Sequence, residues 1–580
     1  MASGDRSSHT GIRYQPDERP PHLLSAGMGV QAAMLVLAGI VLTPAIVIRA
    51  ADQDETYMTW AIFAALVVSG STTVLQAVRL GRIGSGHVLI MGTSGAFIAV
   101  CVAALVEGGP ALLATLVIVS SLFQFALSAR LSLLRRILTP VVSGTVIMLI
   151  AVTIMPIVFD MLSDVPEGTP PAAAPATAGA TLVAVAALGL RATGTWRLWS
   201  PVIGIVVGCG VASLFALYDV ERIASSPWVG VPAGGWQGFE WNLGASFWAL
   251  LPAFVFVTLV GAIETIGDAV AIQRVSWRNE RAVDFRTVQG AVAADGVGNL
   301  LSGVAGTVPN TTYSSSIPLA EMTGVASRNV GVCIGIVLAT LAFMPKLTAL
   351  PLAIPNPVAA AYLTMLLALL FIQGMRIVVQ DGIDYRKATV AGLGFWIGTG
   401  FQNKAIFPDS LGETWGVLLG NGMTTGGLVA IVLTLFMELT RPRRRRIEME
   451  LDRAAVPKVE AFLRECAGRL GWSAMAVERL CLAGEETLLS LGMPEEGEEA
   501  GQKRRLLLFA NRDGSALELE FVAAIGDENL EDMMVLLGER AEAPDERELS
   551  LRLLRHVASS VRHQQYHDTD IVTVRVEGES

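Results

Sequence analysis

Residues 246–273 read SFWALLPAFVFVTLVGAIETIGDAVAIQ, a long apolar run that carries two carboxylates, Glu264 and Asp268. About 20 apolar residues are enough for a helix to cross the hydrocarbon core. An acid near the middle of such a span costs about 2.5–3.5 kcal/mol on insertion scales, so it is expected to face a cavity and to serve a pathway. The i, i+4 spacing puts Glu264 and Asp268 on one helix face, and Gly267 keeps the adjoining surface thin. This stretch therefore predicts a membrane span with a polar stripe.

The rest of the chain agrees. Of 580 residues, 52% are apolar and 16% charged, with 58 Gly and 26 Pro, and the mean hydropathy is +0.54. Soluble proteins carry about 25% charged residues, so a disordered chain, a coiled coil and an ordinary cytosolic enzyme are excluded. Apolar runs fill about 24–440, and from Arg441 the sequence reads as soluble. Five scattered cysteines, Cys101, Cys209, Cys333, Cys466 and Cys481, suggest neither a metal site nor a disulfide framework. No removable leader is evident before Leu23. The net charge of −10 sits largely in the tail and says little about partners.

Fourteen candidate spans start near Met28, Tyr57, His87, Ala111, Leu138, Thr177, Pro201, Ser246, Val288, Thr311, Asn329, Ala349, Ala388 and Trp415. Basic residues favour cytoplasmic loops, and they concentrate in alternate breaks, at 79–82, 130–136, 191–197, 274–286, 328, 376–387 and 441–446. Arg49, Arg222, Lys346 and Lys404 are the exceptions. Both termini are therefore expected in the cytoplasm. The count divides into seven and seven, at 27–217 and 246–440, and an odd half inserts the second with opposite orientation, as an inverted repeat. Gly92-Thr-Ser-Gly-Ala96 and Asn310-Thr-Thr-Tyr-Ser314 fall at nearly the same depth in the two halves. Transporters use such hydroxyl-rich breaks to expose backbone groups to substrate at the midplane; the plain alternative is two ordinary loops.

Further polar groups cluster downstream. Asp295 lies in a small-residue stretch with Gly296, Gly298, Ser302, Gly303 and Gly306, which lets helices approach closely. Asp295 and Asp268 could alternatively serve only to hold helices together. The six histidines fall at span edges, the N-terminus or the tail, so carboxylates would have to carry any protons. Burial disfavours the charged form of a glutamate, which makes Glu264 the first candidate to take a proton and a substrate N–H in turn. Pro309 and Pro318 bracket a run of hydroxyls, which implies an extended piece leading into a half-helix with free N–H donors. No Walker-type phosphate loop occurs.

In order, Glu264-Thr-Ile-Gly-Asp268, Ala294-Asp-Gly-Val-Gly-Asn-Leu-Leu-Ser-Gly303, Gly306-Thr-Val-Pro-Asn-Thr-Thr-Tyr-Ser314 and Thr323-Gly-Val-Ala-Ser-Arg328 resemble the nucleobase–ascorbate transporters, the xanthine/uracil permeases. Gln76 and 133–144 also resemble family positions. The resemblance covers about 24–440. It implies a core domain (spans 1–4 and 8–11), a gate domain (spans 5–7 and 12–14), a homodimer, and alternating access around a solute held between spans 3, 8 and 10. Carried over, Glu264 binds the base, with Thr312, Ser315, Ser316, Gly95 and Ala96 around it, while Asp268 and Asp295 join Glu264 in proton coupling. The Glu-Thr-Ile-Gly-Asp form resembles the purine members more than the uracil ones. Three departures bear on substrate: Ser315-Ser316 replace the family's Glu/Gln-Asn pair, Gln31-Ala32 replace Gln-His, and Gly95 replaces a bulky residue. Losing such polar partners can shift specificity strongly.

The tail, 451–580, follows a basic linker at 441–450, and 1–23 is a cytosolic lead-in. Helices are predicted over 456–470, 475–491 and 549–561, and strands over 504–510, 516–523 and 570–576, with a hairpin at Asn511-Arg-Asp-Gly514. This order resembles the histidine-kinase-type ATPases of anti-sigma kinases. Ser490 stands in place of the metal-binding Asn, and Gly526-Asp527 lack the motif's following glycine, so nucleotide hydrolysis is not expected; an unrelated α+β domain is the plain alternative. The chain thus reads as an all-α polytopic membrane protein of 14 segments in a 7+7 inverted repeat with a small cytosolic α+β domain. Its expected place is the plasma membrane, as a multi-pass transporter rather than an enzyme. Its expected partners are a small-molecule solute, protons, lipid, a second copy and a regulatory protein at the tail, with no cofactor, metal or nucleic acid. An anion transporter of the same architecture and a transporter-like receptor are the rivals; a mid-membrane Glu264 repels anions.

Overall fold

The computed structural model describes residues 12–578 except 132–138, 237, 242, 280, 380–381, 383, 404, 407–421, 441–444, 452–454, 492–504, 514, 524–545 and 568. They fall into a larger unit, His9–Arg278 with Thr287–Leu439, and a smaller one built from Asn279–Arg286 and Thr440–Ser580.

Apolar sequence folds as helix in the larger unit, since in lipid only a helix satisfies its own backbone. Among the described residues, seven helices are long and apolar enough to cross a membrane. They are α1 (His22–Ala50), α2 (Glu55–Val78), α3 (Ile98–Ala129, with the turn Gly95–Phe97 before it), α4 (Pro140–Leu162), α5 (Ala173–Arg191), α8 (Ala245–Val275) and α13 (Asn356–Val379). Helices α11 (Arg328–Ala342) and α12 (Pro345–Leu352) together would make one more, bent by 88°. Also helical are α6 (Thr195–Leu214), α7 (Val220–Ser225), α9 (Phe285–Ala305), α10 (Ser316–Thr323), α14 (Tyr385–Gln402) and α15 (Gly422–Thr440).

One expected boundary differs. The span expected from Ala349 begins at Asn356, because Ala349 belongs to short α12, which Pro345 opens after the break at Met344. The spans expected to start near His87 and Ala111 are the two parts of α3, which is broken at Gly109, where φ is 73°, just before Pro110. The start expected at Trp415 lies outside the described residues.

The helices pack in two groups. One joins α1, α2, α3, α8 and α11, and the other α4, α5, α6, α13 and α14. Each has a seam where backbones nearly touch. A Cβ on Gly70 would lie 2.5 Å from the Gly335 carbonyl oxygen, and one on Gly144 would lie 2.4 Å from that of Gly374. Such close approach is how helices associate where lipid offers no hydrophobic drive. The chain ahead of α1 crosses the first group as a strap. The Arg13 and Tyr14 amides donate to the Gly324 carbonyl, and Ala326 N–H donates to the Tyr14 carbonyl. Arg278, just past α8, grips both Glu18 oxygens at 2.7 Å and holds that carboxyl below its usual range.

The smaller unit has an antiparallel sheet in the order β3-β4-β5-β7-β6, with β3 (Arg445–Glu450), β4 (Arg505–Asp513), β5 (Ala516–Ala523), β6 (Ser560–Gln565) and β7 (Asp570–Glu577). Alternate residues point to one face, where Leu508, Phe521 and Val572 lie in register. The core they join includes Val459 and Leu463 of α16 (Ala455–Arg469), Leu480 and Leu488 of α17 (Ala474–Ser490), and Leu554 of α18 (Glu546–Val557). The hairpin and its flanking helices match the expectation closely. The linker does not: Arg445–Glu450 is the edge strand β3, paired residue by residue with β4. The third helix ends at Val557, and β6 begins at Ser560 inside the range expected to be helical. Gly526 and Asp527 lie outside the described residues. Ser490 Oγ donates to the Glu486 carbonyl of its own helix.

Candidate functional site

The two hydroxyl-rich breaks meet. Met91–Thr93 (β1) and Asn310–Thr312 (β2) form a short antiparallel ribbon, with Gly92 opposite Thr311. Ser94 N–H donates to the Pro309 carbonyl, and Tyr313 N–H to that of Ile90. Proline at 309 and the hydroxyl-rich composition keep the backbone extended here, and pairing satisfies groups that could not stay bare at this depth. Tyr313 packs across the ribbon: a Cβ on Gly92 would fall 2.4 Å from its ring, and its hydroxyl donates to the Thr93 carbonyl.

Each strand runs into a helix start, the turn before α3 on one side and α10 on the other. The preceding residues are Ser94 and Ser315, and neither hydroxyl caps its helix. Both oxygens are buried and have no partner among the described residues, and neither does Thr311 Oγ1. The two helix starts therefore keep hydroxyls uncommitted, although at α10 the Ser316 and Ile317 N–H groups donate to the Tyr313 and Ser314 carbonyls; the dipole's positive end at each favours a polar or anionic group. Gly95, beside Ser94, is exposed and a Cβ there would meet nothing within 4 Å.

Helix α8 lays one face along this ribbon. Gly261 lies against Thr311, with 4.0 Å from a Cβ there to Oγ1. One turn on, Thr265 donates to Asp295 Oδ2 at 2.9 Å, and one further turn places Asp268 between Thr312 and Ser314, each donating at 2.7 Å. Asp295 Oδ2 also accepts from Gln124 Nε2 at 2.5 Å; Gln124 is held by Asn299, which in turn accepts from the Asn310 N–H. Gln76 is buried and ties the Ser85 N–H to the Ala291 carbonyl behind the ribbon.

Of the residues singled out from sequence, Glu264, Asp268, Asp295, Thr312, Ser315, Ser316, Gly95 and Ala96 all lie on the ribbon, its helix starts or the α8–α9 face behind it, and their states differ. Glu264 is half-buried and has no hydrogen-bond partner among the described residues. Asp268, Thr312 and Asp295 are buried and engaged with one another's surroundings. The Ser316 hydroxyl is fully buried, accepting from Ile90 N–H and donating to the Tyr313 carbonyl, so it braces the half-helix instead of facing open space. Ala96 is buried as well. Sequence reasoning passed over Thr265 and Gln124, and quoted Ser94 only as part of the first break; only a helical wheel around Asp268 could have pointed to Thr265, four residues after Gly261.

Comparison with known proteins follows this geometry. The family Xan_ur_permease, described as Permease family, matches residues 25–407. Xanthine permease XanQ of Escherichia coli (strain K12) is 27% identical over 452 residues, covering 74% of this chain and 95% of that protein. Xanthine permease XanP of the same strain is 28% identical over 455 residues, with the same coverage. Among solved structures, murine Slc26a9, an anion transporter in the inward-facing state, is similar at a TM-score of 0.48 and 13% identity over 78% of this chain and 75% of that one. With the family matched across the ribbon, the α8 face and both helix starts, the chain belongs to this permease family, as a multi-pass membrane transporter and not an enzyme.

Proposed function

We propose that the protein is a secondary active transporter that takes up a nucleobase-like solute, of the xanthine/urate class in preference to uracil, by proton-coupled alternating access. The observation that carries this reading is Glu264, a half-buried carboxylate without a partner among the described residues, on the helix that packs against both uncapped helix starts. A flat heterocycle with ring N–H and carbonyl groups complements both: its N–H donates to Glu264, and its carbonyl accepts from the unpartnered hydroxyls of Ser94 and Ser315. A bare anion would meet the carboxylate's repulsion, which sets the reading against anion transport. The names of the xanthine permeases in the family support it.

Under the same reading the fourteen segments form a 7+7 inverted repeat with both termini in the cytoplasm. The group containing α1 and α8 is the core, and the group containing α4 and α13 is the gate. The transporter works as a homodimer at the plasma membrane. The smaller unit regulates it by binding a partner protein. The test is uptake of labelled xanthine, urate and uracil in transporter-deficient cells, with and without protonophore. Wild type is expected to accumulate a purine in a protonophore-sensitive way, and Glu264→Gln to lose uptake by about a hundredfold, the loss expected when a charged hydrogen-bond partner goes. Binding without flux in membrane-inserted wild type would overturn transport in favour of a receptor.

A further inference from the structure

Asp268 and Asp295 sit on different helices, and neither touches the other. Between them lie two threonine hydroxyls. Thr312 Oγ1 is 2.7 Å from Asp268 Oδ2, Thr265 Oγ1 is 2.9 Å from Asp295 Oδ2, and the two hydroxyl oxygens are 3.4 Å apart. Both threonines are at most 1% exposed. At the far end, Asp295 Oδ1 is buried with no partner among the described residues, while Oδ2 takes two donors. The other side-chain route into Asp295 runs through the amides of Gln124 and Asn299. Amides give and take hydrogen bonds in fixed directions, so that route orients Asp295 without passing a proton to it.

We propose that Thr265 and Thr312 are a proton relay joining Asp268 to Asp295, which deepens the proton-coupled reading above and rests on it. Starting from protonated Asp268, its proton goes to Thr312 Oγ1, the Thr312 proton goes to Thr265 Oγ1, and the Thr265 proton goes to Asp295 Oδ2. Each hydroxyl gains one proton and loses one, Asp268 ends as carboxylate and Asp295 as acid, and no electron moves. Rotation of the two hydroxyls resets the relay.

The 3.4 Å link is the control point. Normal O–H···O contacts are about 2.5–3.0 Å, so this one must shorten by roughly half an ångström before a proton crosses. Thr265 rides on α8 and Thr312 on β2, directly ahead of the half-helix that frames the solute site. A shift of α8 along the ribbon opens or closes the link, and proton movement is thereby tied to how the site is occupied. The other titratable groups facing this cluster are Glu264 on α8 and Tyr313 after β2, with Tyr362 of α13 beyond Tyr313.

The experiment uses full-length protein in proteoliposomes with an entrapped pH dye, comparing wild type, Thr265→Val, Thr265→Ala and Thr265→Ser. Two readouts are taken: exchange of labelled purine for unlabelled at equal pH, which needs no net proton movement, and accumulation driven by an imposed proton gradient. Valine keeps the shape and removes the hydroxyl; alanine serves if valine does not insert. Expected for both is exchange within about twofold of wild type with proton-driven accumulation and dye response reduced about tenfold or more, and recovery in Thr265→Ser. Accumulation at the wild-type level in the variants lacking the hydroxyl overturns the relay alone. So does a parallel fall of exchange and accumulation, or failure of serine to recover. Wild type that moves no base overturns both the relay and the transport reading.

Discussion

Glu264, Asp268 and Asp295 are three carboxylates of one site, and their partners separate their roles. Asp268 takes two hydroxyl donors and Asp295 takes an amide and a hydroxyl, while Glu264 takes none. Under the proposed function, the uncommitted one is the one that engages the solute. Ser315 poses the complementary question, because its hydroxyl is unpartnered where the family carries an amide or carboxylate. Ser315→Gln is expected to tighten purine binding about tenfold and to narrow the range of bases accepted, since a second polar partner adds about 1–2 kcal/mol for a matched group and penalises an unmatched one; competition of unlabelled bases against labelled xanthine measures it. The i, i+4 pair Glu264/Asp268 was legible because it is a local pattern. The Asp295–Thr265–Gln124 contacts were not, because they join three helices distant in sequence, and hydroxyl residues in apolar runs read equally as back-bonded to their own helix.

At the scale of elements, composition identified both breaks as hydroxyl-rich and the second as extended, but could not say that they pair with each other. Strands of three residues are too short to have a period. β3 was missed for another reason: the arginines of 441–446 dominate its reading as a basic linker, whereas Ile447 and Met449 carry the strand's alternation. The sheet also holds a pH-sensitive element. His563 on β6 is buried 3.8 Å from Asp570 of β7, and burial, followed by the charge of Arg286 in the same unit, pushes its imidazole down to about 4. An unfolded histidine titrates near 6.5, so between those values the unfolded unit binds more protons than the folded one. Its contribution to stability is therefore complete above about pH 6.5 and is lost, on the order of 1 kcal/mol per pH unit, as pH falls toward 4. Protection of the β6 and β7 amides against hydrogen exchange in the full chain, measured relative to the intrinsic rate at each pH, should fall between pH 7.5 and 5, and His563→Gln should flatten that dependence.

For the whole molecule, helix-forming sequence and short breaks were readable throughout the larger unit, because lipid leaves the backbone no alternative to helix. What hydropathy could not supply was which helices share a seam. The Gly70–Gly335 and Gly144–Gly374 approaches depend on backbone proximity alone, and isolated glycines in apolar runs carry no label for their partner. The two-stranded ribbon is the feature with the widest consequence. One strand and one helix start come from 91–97 and the other strand and start from 310–323, on opposite sides of the connection at 226–244. Neither half owns a finished pocket. Produced as two polypeptides divided inside that connection, each half alone should be inert, and purine uptake should return only in cells making both. The pocket is then a coincidence detector for its own two fragments, and uptake becomes an assay of their reunion.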